Sequence, residues 1–250
     1  MRKFVAQNIR EKTAGLHRIM AKFGWVDMIL NHISVKNPEK NSFLMSPFGL
    51  LYEEVKASNL VELDSTWNIV HNSNSKYVNT AGLKIHSAVY EKRDDVNCII
   101  HTHTANGIAI SALKSELLLL DQMSLIFYDD IAYHQLEGIF VNDEEKSRLT
   151  TNLANKKALI LKNHGLLVVG GSIEEAFWNY YYLEHACALY IRMLSTGQSI
   201  NVIDEKVKQT VKMQHERFNK KDSKLVKNLS SNSILAFDAQ LRLLEQSYKE

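Results

Sequence analysis

Two short apolar runs split by a tight polar turn, and followed at once by a capped helix, constrain this chain more than any other feature. Ala158–Leu161 and Leu166–Val169 flank Lys-Asn-His-Gly. Runs this short between turn residues read as buried strands. Ser172, with Glu175 three residues later, is an N-terminal capping pattern, and it opens a long helix that ends near Leu194. A strand pair feeding a helix must bury one face of each against a common core, which indicates a layered α/β or α+β fold.

The same vocabulary recurs upstream. The pattern predicts a helix from about Val5 to Phe23, closed by Gly24. It predicts short strands at Phe43–Met45 and Leu60–Leu63, and a helix over Leu83–Glu91 capped by Asn79 or Thr80. Val96–His103 reads as a strand emerging from a buried run, and Ile108–Leu113 as helical. Asn142 followed by Glu145 caps a helix to about Leu153. The polar segment His71–Lys76 reads as a loop. Residues 1–200 are expected to form one domain. Residues 201–250 form a tail with a helix at Val207–Arg217, a basic stretch at Lys220–Ser231 and an amphipathic segment at Leu235–Tyr248. This tail is expected to pack on the core or on a neighbouring subunit.

Charge narrows the functions. With 30 basic and 28 acidic residues in 250, the net charge is +2, which gives no reason to expect nucleic acid or an anionic membrane as partner. No apolar run approaches the ~20 residues of a membrane span. Cys98 and Cys187 sit in apolar runs and read as buried free thiols. The N-terminus has no long apolar stretch of a secretory signal. A cytoplasmic chain is the expectation.

His101-Thr102-His103 lies at the end of a predicted strand. Residues two apart on a strand share a face, so both imidazoles can lean toward one point while Thr102 faces away. His164, in the Asn163-His164-Gly165 turn, is the best third ligand, and Gly165 permits a close backbone approach or positive φ. Alone, each signal also fits something plainer: polar residues at a strand end, or a turn histidine satisfied by backbone. Three neutral imidazoles without a thiolate suit Zn²⁺, with Mn²⁺, Fe²⁺, Co²⁺ or Ni²⁺ as alternatives. Three protein ligands leave a position open, in the style of a catalytic site.

At these residues the chain resembles the class II aldolase/adducin family. Arg93-Asp-Asp-Val-Asn-Cys-Ile-Ile-His-Thr-His-Thr104 is similar to the family's R-P-D-V-x-x-V-x-H-x-H segment, with Asp94 where proline is usual. Ala158–Gly170 and the helix behind it look like its L-x-x-N-H-G turn. Gly24–Ser34, Leu44–Gly49, Asp121-Gln122 and Ile131–Gly138 look like its adducin-like branch. The resemblance implies a three-layer α/β/α domain around a central, largely antiparallel sheet. It also implies a homotetramer with sites near subunit interfaces, and His101, His103 and His164 as metal ligands. The substrate would be a small carbonyl or sugar-like molecule. The metal would act as a Lewis acid in lyase or related enediolate chemistry.

Two functional positions depart from the family. Its acid/base Glu, four residues before the histidine matching His86, is here Gly82. Its phosphate-binding loop corresponds to Ile29–Ser34, without the Thr and Gly. His32 and Ser34 are then the candidates for the anionic end of a substrate. Glu137 and Gln122 are candidates to replace the missing acid/base. Their plainer readings are a turn carboxylate and a buried hydrogen-bond partner. Tyr133 and His134 could donate to an oxyanion or simply pack, and His86 reads as a core histidine or one that orients a ligand. A metal-dependent enzyme is the preferred reading. A non-catalytic metal-containing binding or scaffold protein is the alternative.

Overall fold

The computed structural model describes residues 8–70, 77–139, 142–219 and 232–250, with backbone alone at 216–219. Seven strands form one sheet: β1 (His32–Asn37), β2 (Ser42–Met45), β3 (Val61–Leu63), β4 (Cys98–Thr102), β5 (Ile131–His134), β6 (Ala158–Leu161) and β7 (Gly165–Gly170). Their order is β3-β2-β1-β4-β7-β6-β5. Every pairing is antiparallel except β5 with β6, so the sheet is largely antiparallel as expected.

Helices cover both faces. They are α1 (Ile9–Lys22), α2 (Thr80–Lys92), α3 (Ala105–Ser111), α4 (Asp143–Leu153), α5 (Ile173–Ser195), α6 (Glu205–Asn219) and α7 (Asn232–Leu241). Strand alternation sorts the core into two layers. Ile33, Val35, Cys98, Ile100 and Val168 face α1, α3, α5 and α7. Ile99, Leu159, Leu161, Leu167 and Val169 face α2 and α4. This is a three-layer α/β/α arrangement.

Local chemistry sets the helix starts. Asn8, Asn79, Asn142 and Ser172 each accept a hydrogen bond from a backbone N–H in the first turn of α1, α2, α4 and α5. Satisfying these otherwise orphaned donors stabilises each helix by about 1 kcal/mol. Thr104 does the same for α3, accepting from Gly107 N. The apolar pattern places this helix later, at Ile108, because Thr104 directly follows the H-x-H pair and reads with it. The helix expected from Val5 begins at Ile9 in the described part, and residues 1–7 lie outside it. The loop expected at His71–Lys76 and the stretch Lys220–Ser231 also lie outside the described residues.

Two strands are absent from the sequence-based expectation. β1 is His-Ile-Ser-Val-Lys-Asn, alternating over its first five residues, with His32 and Ser34 buried and hydrogen-bonded to His86 of α2. It overrides the reading of Ile29–Ser34 as a binding loop, because from His32 onward this segment is hydrogen-bonded to β2 and β4. β5 is only four residues long. In the tail, α7 packs on α5, and Phe237, Leu241 and Tyr248 join the α1/α5 core. The amphipathic segment is not one helix: α7 ends at Leu241 and a short 3-10 turn covers Gln246–Lys249.

Candidate metal centre and its cavity

β4 carries His101 toward the α2/α4 layer, while Thr102 turns to the other face and hydrogen-bonds the Tyr180 hydroxyl at 2.8 Å. His103 lies just past the strand end. His164 comes from the turn joining β6 to β7, closed by His164 N donating to Leu161 O at 3.0 Å. Asn163 takes the positive φ of +56° in this turn, a conformation asparagine tolerates. Gly165 serves the close approach instead: a Cβ there would collide with the Thr102 carbonyl oxygen. That contact draws the turn against β4 and brings the third imidazole to the other two. The ligand nitrogens of His101, His103 and His164 lie within 4.8 Å of one another.

Hydrogen bonds behind two of these rings, His101 and His103, fix their tautomers. His101 Nδ1–H donates to the Leu166 carbonyl at 2.9 Å, which can only accept. His103 Nδ1–H donates to the Asp27 carboxylate at 3.0 Å, and its backbone N–H donates to Asn31 Oδ1 at 3.0 Å. Both Nε2 atoms therefore present lone pairs, 2.9 Å apart. His164 Nε2 stands 3.0 Å from His103 Nε2. Lone pairs facing at that distance repel unless a cation lies between them. Ligands at 2.0–2.1 Å from one ion stand about 3 Å apart, so the donor set fits a divalent metal. Burial, then the neighbouring imidazoles, pushes the His101 pKa well below its ordinary value. Burial and then His103 push that of His164 down to about 4. Both rings are thus neutral, as metal ligands must be.

His32 sits beside this triad because β1 pairs with β4 in a register that sets His32 opposite His101. Their ring centroids are 4.7 Å apart. A relay orients the His32 ring. Tyr90 OH donates to the Ser34 carbonyl, and Ser34 Oγ donates to Tyr90 OH. Ser34 Oγ then accepts from His86 Nδ1–H at 2.6 Å. His86 Nε2 in turn accepts from His32 Nδ1–H at 2.9 Å. His32 Nε2 is left with a lone pair on the side of Gly82, where an added Cβ would lie 2.5 Å from it. Glycine at 82 and histidine at 32 are thus one feature, because the imidazole fills the volume a side chain at 82 would need. Burial alone lowers the His86 pKa to about 3, and burial followed by its histidine neighbours lowers that of His32 well below the ordinary value.

The triad and His32 share a cavity of about 340 Å³. The first turn of α2, from Thr80 to Gly82, also lines it, as do His134, Glu145 and Lys162. The other candidates read from the sequence lie elsewhere. Ser34 is buried behind His86 and does not line the cavity. Tyr133 points to the α5 face of the sheet, where its hydroxyl accepts from Leu117 N at 2.9 Å. Glu137 is exposed and bound to Arg148 through two hydrogen bonds, which hold its carboxyl below the usual range. That is the wrong direction for a base working near neutrality. Gln122 is exposed in a turn outside the cavity lining. Asp27, Asn31 and Glu145 are the site residues that the sequence pattern does not mark. Asp27 stands alone in a loop with no spacing signal, whereas Glu145 reads only as a capping residue.

Comparison with known proteins finds relatives in sequence and in fold. Residues 11–191 match the family model described as the class II aldolase and adducin N-terminal domain. A Pseudomonas aeruginosa protein provisionally named an aldolase class 2 protein is 44% identical over 191 residues, covering 76% of this chain and 73% of its own. Mouse alpha-adducin is 45% identical over 192 residues, 76% of this chain but only 26% of adducin. The crystal structure of an aldolase II superfamily protein from Pseudomonas syringae superposes with a TM-score of 0.85 at 34% identity, covering 99% of this chain and 98% of that one. An L-fuculose 1-phosphate aldolase from Glaciozyma antarctica gives 0.80 at 27% identity, covering 97% and 92%.

Proposed function

Because the chain belongs to the class II aldolase and adducin N-terminal domain family, we propose that it is a metal-dependent enzyme of the class II aldolase type. Its reaction is a lyase or related step on a small hydroxy-carbonyl or sugar-like substrate. One observation carries the reading: two imidazole lone pairs held 2.9 Å apart by fixed tautomers, with a third nitrogen beside them, in a substrate-sized cavity. A divalent ion held by His101, His103 and His164, Zn²⁺ before Mn²⁺, Fe²⁺, Co²⁺ or Ni²⁺, supplies Lewis acidity toward a carbonyl oxygen. Asp27 and the Leu166 carbonyl keep two of the ligand rings in register. His32 accepts a hydrogen bond from a substrate hydroxyl, and its relay holds the ring for that contact. Residues 1–200 carry the site as one domain, and 201–250 form a tail that packs on that domain's α1/α5 face, away from the site.

The exposed apolar side chains at the cavity mouth, Leu30, Phe48, Leu136 and Ile139, support a homo-oligomer, with a tetramer as the proposed state. The thiols of Cys98 and Cys187 are buried and free, which suits a reducing cytoplasm. Among the described residues no helix is long and apolar enough to cross a membrane.

A second reading has its own support. Gly82 leaves the family's acid/base position without a carboxylate, and alpha-adducin is among the similar proteins. On this reading the chain binds metal and ligand without turnover. Metal analysis of purified protein, with His103→Ala as control, tests the site: less than stoichiometric metal in the wild type overturns it. A screen of hydroxy-ketones and aldol adducts with Zn²⁺ or Mn²⁺ then separates the readings. Turnover supports the enzyme, and saturable binding without turnover supports the binding protein.

A further inference from the structure

We infer that His134 and Glu145 form a hydroxyl-binding subsite in the wall of the cavity; this deepens the reading of that cavity as a substrate site. His134 ends β5 on the α4 face and is 4% exposed. Its Nδ1 accepts from the Asn152 side-chain amide at 2.9 Å, so Nε2 bears the hydrogen. The opposite tautomer would aim a lone pair at the carboxylates of Glu145 and Glu137, 3.7 and 3.9 Å away. Nε2–H is buried and has no hydrogen-bond partner among the described residues. Both carboxylates stand beyond hydrogen-bond range, and Glu137 is already engaged by Arg148.

A donor and an acceptor on one cavity wall, close but not bonded to each other, match a group that both accepts and donates. A hydroxyl does both: its oxygen takes the His134 N–H and its hydrogen goes to Glu145 Oε1. An anionic group fits poorly against the Glu145 carboxylate. The cations near the cavity give it no help either: Lys162 Nζ is turned away to donate to Leu113 O at 2.7 Å and lies over the Tyr133 ring, and Arg148 is engaged by Glu137. The chemistry selects a polyhydroxylated carbonyl compound that presents a neutral hydroxyl to this wall.

Equilibrium binding to the metal-loaded protein tests this with ketoses of four, five and six carbons, each paired with its terminal-deoxy analogue. At one chain length the terminal hydroxyl should tighten binding about tenfold, the worth of a strong buried hydrogen-bond pair. Glu145→Leu and His134→Phe should erase that advantage with metal content unchanged, and Glu145→Gln, which keeps an acceptor oxygen, should retain most of it. Equal affinities at every chain length, or an advantage untouched by Glu145→Leu, overturn the inference. A separate arm uses metal-stripped protein and erythritol, which has no carbonyl. Saturable movement of the His134 imidazole resonances, absent in Glu145→Leu, supports the subsite even if the metal reading fails. A still His134 signal there, alongside ketose binding to the loaded protein, sinks the subsite alone.

Discussion

Histidines on opposite sides of the sheet have opposite needs. On the α1 side, His17 is fully satisfied by the protein. Its Nδ1–H donates to the Thr13 carbonyl at 2.8 Å, and its Nε2 meets the Ser46 hydroxyl at 2.7 Å. On the α2/α4 side, His101 and His103 spend their Nδ1–H groups on acceptors and turn their lone pairs on each other. Burial is the same, since His17 and His101 are both at most 1% exposed. Burial therefore does not mark a site. An unmet demand for a cation does.

The sharpest way to break this contrast is to remove ligands. His103→Ala should lose stoichiometric metal altogether, whereas His17→Gln should keep it; metal analysis of the two proteins decides. Gly165→Ala should act nearly as strongly without touching a ligand, since its Cβ would meet the Thr102 carbonyl. A destabilisation of about 3 kcal/mol, the scale of forced overpacking, and weakened metal retention should appear in denaturant titrations and metal analysis.

His17 supplies a pH signature. Burial lowers its pKa to about 4 from 6.5, so the unfolded chain takes up the proton first as pH falls. The stabilisation is fully present above pH 6.5 and is lost as pH drops toward 4, by roughly 3 kcal/mol. Melts of wild type and His17→Gln across that window should converge as pH falls, and parallel curves would refute the assignment. The smallest effect should come from Asp27→Ala, which leaves all three ligands but frees the His103 ring. Metal affinity should fall by about 10- to 100-fold, read by competition with a chelator. An unchanged affinity would mean that the His103 tautomer is not held from this loop.

The legible parts of the sequence are those whose physics is local. Caps at Asn79, Asn142 and Ser172 need only neighbouring residues, and so does the turn at Asn163. The histidine cluster is legible because strand periodicity aims His101 and His103 together, and because a glycine marks where His164 must approach. β1 is not legible because α2, the cover over its polar face, arrives much later in the chain: the His32–His86 bond spans a separation of 54 residues. Glu137 looks available because Arg148, eleven residues on, is invisible to any spacing rule. His134 and Glu145 become one wall only when α4 is laid against β5. Gly82 reads as a loss in the sequence, whereas in the structure the His32 ring fills the volume that any side chain at 82 would need.

His103 and His164 are 61 residues apart in the chain, and only the folded form brings them together. An ion gripping both is a reversible cross-link, closing a loop that the unfolded chain leaves open. Its free energy then adds to folding by mass action, about 2.7 kcal/mol when free metal is a hundred times the dissociation constant. The persistence of this chain against unfolding and proteolysis would rise and fall with the metal supply around it, so its abundance would follow the supply as well.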